Sequence, residues 1–328
     1  MPELVGRQVG PRGYGLMNLT WRKDPIAHDQ AFKALRAAID GNMTFWNGGE
    51  FYGTPENNSM TLLAAYFDKY PEDADKVVIS IKGGLGPDLL PDGSPERIRS
   101  SLDTTLAQLG DKKKLDIFEC ARRDPRVPLE TTFDVIEKEY VQTGKLGGIC
   151  LSEVSAATIH EAVKITKIVG VEAELSLFST DALHNGVAAA CAQYGIPLIA
   201  YSPLGRGLLT GQIKSIDDIP ESDGRRHLPR FQPGNFEINL QLVKQVEDMA
   251  AKRNCTPAQL ALGWVSSLQR RPGMPAIIPI PGGTTVPKVS ENSKQTDLTD
   301  EEMDALDATL SRFTVAGGRY PDGMPMDT

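Results

Sequence analysis

Most of the residues from which buried chemistry is usually assembled are scarce in this chain. Only four cysteines and four histidines occur in 328 residues. Cys120, Cys150, Cys191 and Cys255 are widely spaced and form no Cys-x-x-Cys pair, so they read as free, reduced core residues rather than a disulfide framework. The histidines never recur at ligand spacing, which leaves no candidate metal site. No run approaches the ~18–20 apolar residues of a membrane span. The opening Met1-Pro2-Glu3-Leu4-Val5 has neither the basic head nor the apolar stretch of a secretory signal. Basic residues are outnumbered, 35 against 43 acidic, for a net charge of −8 and a pI near 5.2. That balance argues against general nucleic-acid binding and for a well-solvated cytoplasmic protein. Gly-x-Gly-x-x-Gly is absent, which weakens a Rossmann sheet.

What is present is an alternation. With 40% hydrophobic and 24% charged residues, the chain has ample material for a full core. Short β-rich runs recur at Tyr14–Leu19, Met43–Trp46, Val77–Ile81, Leu115–Cys120, Gly148–Leu151, Val171–Glu174, Pro197–Tyr201 and Ala276–Pro279. Helical periodicity fills the intervals: Ala31, Leu35, Ala38 and Ile39 form one stripe, and Leu102, Leu106 and Leu109 another. Ser155 begins a further helix, and Thr256-Pro257 opens one with a cap followed by proline at the first helical position. Eight such units predict an α/β fold, a (β/α)8 TIM barrel, as a single domain over residues 1–328. The glycine-rich Gly6–Gly15 predicts a small hairpin covering the barrel bottom. Pro203–Phe236 and the tail Phe313–Thr328 predict long loops, the first at the active face.

Two residues carry the chemistry. Tyr52 follows the run Met43–Trp46, and Lys82 follows Val77–Ile81 thirty positions later, so consecutive strands would bring both side chains out at one end of the barrel. An ammonium beside a phenol favours the phenolate, so Lys82 is expected to draw the Tyr52 pKa down from its reference of about 10. Taken alone, Tyr52 also fits a half-buried aromatic at a strand end.

The surrounding stretches resemble the aldo-keto reductases over nearly the whole length. Besides the Tyr52 and Lys82 segments they include Thr143–Ile149, Ala200-Tyr201-Ser202-Pro203-Leu204-Gly205-Arg206-Gly207, and Pro279-Ile280-Pro281-Gly282 with Glu291-Asn292. Gly49–Gly53 and Phe118–Arg122 are similar to the fungal pyridoxal reductase branch. The resemblance implies NADPH-dependent carbonyl reduction, with Tyr52 as proton donor and Lys82 tuning it. An aspartate usual in the family is replaced by Asn47, which can accept a hydrogen bond from Lys82 but supplies no countercharge. Lys82 is therefore expected to be more strongly electropositive towards Tyr52. The family histidine falls on Ala121, which cannot bond a carbonyl. Glu119, two residues earlier on the same strand face, is either a protonated replacement donor to substrate or a buried structural carboxylate.

The same resemblance implies the cofactor contacts. Ser152 would hold the carboxamide, with Glu153 and Glu172 standing where Asn and Gln are usual. Tyr201 would stack on nicotinamide, or simply pack. Ser202, Leu204, Gly205, Arg206 and Gly207 would wrap the pyrophosphate. Lys288 would meet the 2′-phosphate or else remain a solvated surface lysine, with Glu291 and Asn292 at the adenine. Arg225, Arg226 and Arg230 would close over phosphate or lie exposed. Trp21 and Phe51 would flank an aromatic substrate or pack within loops. The expected partner is a small-molecule aldehyde, pyridoxal foremost, whose ortho hydroxyl can polarise its own carbonyl. A broad-specificity aldehyde reductase, or a low-turnover NADPH sensor or partner-binding barrel motivated by Asn47 and Ala121, are the alternatives.

Overall fold

A computed structural model describes residues 1–321 together with Gly323 and Met326. A two-stranded antiparallel hairpin, β1 (Glu3–Leu4) and β2 (Arg7–Gln8), precedes eight parallel strands in one sheet. These are β3 (Tyr14–Gly15), β4 (Phe45–Gly49), β5 (Val78–Gly83), β6 (Leu115–Cys120), β7 (Leu146–Ser152), β8 (Ile168–Glu174), β9 (Leu198–Tyr201) and β10 (Ile277–Pro279), each paired with its sequence neighbour. The first and last strands meet as well. The Gly13 N–H donates to Pro279 O (2.9 Å), that of Gly15 to Pro281 O (3.2 Å), and Gly15 bridges Gly282 in parallel. The eight strands therefore close on themselves as a (β/α)8 barrel.

Helices form where the sequence supplies starts. Asn58 caps Ser59–Lys69, accepting from the Met60 and Thr61 N–H groups, and Thr61 completes the capping box. Ser155 caps Ala156–Ile165, and Thr256 with Gln259 caps Pro257–Ser267, both at the predicted positions. The helices lay apolar stripes such as Ala31, Leu35 and Ala38 against the outside of the sheet.

Period-2 alternation sorts the barrel interior into layers. Phe45, Val78, Ile117, Cys150, Ile199 and Ile278 form an apolar floor, sealed from below by Leu4 and Val9. Gly170 on β8 belongs to that layer: a Cβ there would sit 2.9 Å from Ile199 Cδ1 and 3.2 Å from Cys150 Sγ, so any side chain would press on both. Two residues further along the strands the lining turns polar, with Asn47, Ser80, Glu119, Ser152 and Glu172.

Two expectations need correction. The hairpin occupies Glu3–Gln8 rather than Gly6–Gly15, because Val5 and Gly6 both take positive φ (46° and 74°) and make the turn. The run Tyr14–Leu19 is a strand only at Tyr14–Gly15, and Met17–Thr20 is a helical turn that buries Leu19. The long connection Pro203–Phe236 is less polar than its composition suggests. It folds as short 3-10 turns that bury Leu204, Leu208, Leu209, Ile219 and Phe231.

Candidate active site

Lys82 sits near the end of β5, in register with Gly49 on one side and Glu119 on the other. Its ammonium donates to Asn47 Oδ1 at 2.7 Å and contacts Glu172 Oε1 at 2.5 Å and Glu119 Oε1 at 3.4 Å. The Asn47 amide in turn donates to Glu119 Oε1 (2.8 Å) and Glu172 Oε2 (2.6 Å). Ser80 Oγ adds a hydrogen bond to Glu119 Oε1 at 3.2 Å. All of these side chains are buried. Burial alone would lower the Lys82 pKa, but Glu119 and Glu172 prevail and hold it above the ordinary lysine range. The expectation of a Lys82 without a nearby anion is thus corrected. The countercharge missing at position 47 arrives from β6 and β8.

Tyr52 leaves the turn after β4, and its carbonyl accepts from Thr20 Oγ1 at 2.6 Å. Trp21 stacks on its ring with centroids 5.1 Å apart, and Phe51 meets it edge-on at 4.9 Å. Lys82 Nζ lies 6.0 Å from the ring centroid. Burial pushes the phenol up to about 12; Lys82 pulls it down, while Glu172 and Glu119 push it further up. The expected net depression is therefore reversed. Ala121, buried at the end of the neighbouring strand, offers no side-chain polar atom.

The residues expected at the cofactor lie on or after β7, β9 and β10. Ser152 Oγ is buried without a hydrogen-bond partner, as a hydroxyl reserved for a ligand amide would be. Tyr201 OH contacts Tyr320 OH at 2.9 Å and donates to Glu174 at 3.4 Å. Ser202, Gly205, Arg206 and Gly207 all take positive φ (49°, 57°, 58° and 102°), curling the connection after β9. Leu204 is buried beneath it. The Arg206 guanidinium pairs with Glu174 at 3.2 Å and lies 4.3 Å from the Tyr320 ring centroid. Asn292 donates to Gly282 O at 3.0 Å, fixing the turn that precedes the helix Val286–Ser293. On that helix Lys288 is exposed and Glu291 half-buried. A Cβ at Gly283 would come 3.1 Å from Val289 Cγ2, so the turn is kept bare of side chain. An orphan hydroxyl, a bare glycine turn and an exposed lysine on one rim fit a dinucleotide.

Arg225, Arg226 and Arg230 are staples of the connection. Arg225 pairs with Asp223 (2.7 Å) and donates to Arg206 O, Arg226 donates to Ile216 O and Ile219 O, and Arg230 donates to Ser179 Oγ (2.7 Å). A further set of contacts carries no local signal in the chain. Arg319, in the C-terminal tail, pairs with both carboxylate oxygens of Glu153 at 3.0 and 3.1 Å, and approaches Glu174 at 3.7 Å. Glu153 holds a positive φ of 53°. With Tyr320 beside Tyr201, the tail reaches the inferred cofactor cleft. The flanking Gly317-Gly318 reads only as loop, so no local pattern joins Arg319 to Glu153.

The Aldo/keto reductase family model matches residues 13–311. This chain is an aldo/keto reductase. It is 40% identical to "Probable pyridoxal reductase 2" of Schizosaccharomyces pombe, covering 98% of this chain and 97% of that one. It is 42% identical to "Putative pyridoxal reductase" of Saccharomyces cerevisiae, covering 94% and 95%. A glycerol dehydrogenase from Gluconobacter oxydans superposes with a TM-score of 0.83 over 99% of this chain and 98% of its own, at 22% identity, a likeness of fold. Among the described residues of this aldo/keto reductase, no helix is long and apolar enough to cross a membrane.

Proposed function

We propose that the chain reduces an aldehyde to an alcohol at the expense of NADPH, with pyridoxal as substrate and pyridoxine as product. The observation that carries the reading is a buried phenol beside a buried ammonium, Tyr52 and Lys82, with Lys82 Nζ 6.0 Å from the tyrosine ring, at the mouth of the barrel. Identities of 40–42% to proteins described as pyridoxal reductases support the choice of substrate.

When bound, NADPH supplies the hydride. A phenol at about 12 keeps its proton at neutral pH, so Tyr52 enters turnover as an acid. As that proton passes to the carbonyl oxygen, Lys82 stabilises the phenolate left behind. Ser152 would hold the carboxamide end, Tyr201 the ring, and Ser202, Leu204, Gly205, Arg206 and Gly207 the pyrophosphate; Glu172, expected beside Ser152, has both oxygens engaged by Lys82 and Asn47. Lys288, with Glu291 and Asn292, would hold the adenosine end, and Lys288 accounts for a preference for NADPH. Trp21 and Phe51 give an aromatic wall beside Tyr52, suited to a pyridine ring. With Ala121 in the place of a donor, the ortho hydroxyl of pyridoxal polarises the carbonyl from within the substrate.

Purified protein with NADPH and pyridoxal is expected to consume the cofactor. Binding of NADPH without oxidation across an aldehyde panel would replace the enzyme reading by a sensor. Equal selectivity for 4-pyridinecarboxaldehyde, which lacks the hydroxyl, together with no response to Ala121→His, would remove the substrate-assisted step.

A further inference from the structure

Beneath Lys82 lies one carboxyl more than a lysine needs. Glu119 and Glu172 come from different strands, both are buried, and one ammonium touches both, at 3.4 and 2.5 Å. Asn47 bridges them from a single nitrogen, at 2.8 and 2.6 Å. Glu119 Oε1 also accepts from Ser80, whereas Glu119 Oε2 is buried and receives no hydrogen bond from an amide, hydroxyl or ammonium group. Two ionised carboxyls against one ammonium would leave a net negative charge in a site closed to water. They would also leave an acceptor unsatisfied, and both conditions are costly. A single added proton removes the excess charge and gives the orphan oxygen its partner.

We propose that Glu119 and Glu172 hold one proton between them and serve together as the single negative counter-ion that positions Lys82. The inference deepens the reading of Tyr52 and Lys82 as acid and tuning group, and rests on it. Asn47 then acts as the neutral bridge that keeps the two carboxyls together, and the anion that resemblance would set at position 47 stands instead on the far strands. The titratable groups facing the pair are Lys82 from β5, Cys150 from β7 and Tyr52 beyond β4. Cys150 stays a neutral thiol, since burial and the two glutamates drive its pKa well up. Burial, and then the charge of Glu119, push Glu172 up to about 8, in keeping with one carboxyl protonated at neutral pH. That proton belongs to the pair rather than to either residue.

Infrared difference spectra of the folded protein test this without any substrate. At neutral pH, wild type minus Glu119→Gln and wild type minus Glu172→Gln are each expected to show loss of a protonated-carboxyl C=O band. In each variant the remaining glutamate, now ionised, faces Lys82 alone. Loss of carboxylate bands only, in both spectra, would overturn the proposal. In turnover, the double variant Glu119→Gln/Glu172→Gln, verified as folded by thermal melting, is expected to lose at least roughly tenfold in kcat through a displaced Lys82. Adding Asn47→Asp to it should recover most of that loss by restoring one charge. A folded double variant with undiminished kcat, or no recovery with the aspartate, would count against a counter-ion role. If the wild type turns over no aldehyde, the functional reading fails, and the infrared result still decides the pair.

Discussion

Tyr52 holds its proton because burial and the carboxyls of Glu172 and Glu119 outweigh the pull of Lys82. Tyr52→Phe keeps the ring and its stacking on Trp21 but removes the acid. Turnover should fall by roughly 10²–10⁴-fold while NADPH binding, followed by fluorescence, stays near wild type. Lys288→Ala should weaken NADPH by roughly 1.5–3 kcal/mol, the worth of a hydrogen bond to a charged group, and leave NADH almost unaffected. Titration of both cofactors checks it. Glu172 also predicts a pH effect on stability. Its carboxyl is raised from 4.5 to about 8 in the folded state, so the folded form binds the extra proton between those values. The resulting stabilisation is present below about 4.5 and lost as pH rises through about 8. Wild type should therefore lose more melting temperature than Glu172→Gln between mildly acidic and mildly alkaline buffer. Tyr52 and Lys82 were legible because each lies at or shortly beyond the end of a strand run. The meeting of Glu119 and Glu172 was not, because period-2 alternation names the face a side chain takes but not its partner across a closed barrel.

At the scale of elements, strands and helix caps were the readable part. Leu115–Cys120 matches its strand end for end, and Ser155 and Thr256 cap where expected, since caps and apolar runs are local signals. The later part of Tyr14–Leu19 misled, because its apolar residues serve a helical turn whose burial of Leu19 comes from tertiary packing. The hairpin was displaced because its turn uses Val5 at positive φ, a residue type that seldom advertises one. Leu4 plugs the floor, so Leu4→Ala should cost roughly 2–5 kcal/mol. The loss should appear as a lower urea midpoint with an unchanged slope. The Arg319 clasp on Glu153 lay beyond reading, because nothing in a glycine-rich tail specifies where it returns.

For the molecule as a whole, eight alternations and the missing glycine fingerprint were enough to anticipate a barrel, since closure follows from the repeat. What they could not convey is how the interior divides between a dry layer and a charged one. That division depends on register, and register emerges only when strands are paired. The net charge of −8 and pI near 5.2 predict that solubility passes through its minimum in mildly acidic buffer and improves on either side, which turbidity against pH will check.

The seal that Leu4 and Val9 make with the floor residues has a further bearing. A barrel stoppered at its base is a vessel with one door, and the lysine, the asparagine and both glutamates stand inside it. Among the described residues all four are buried, so hydronium and hydroxide have no direct contact with them. An occupant of that doorway would isolate the interior from the buffer, and a turnover under it would run on the protonation inherited from the moment of entry.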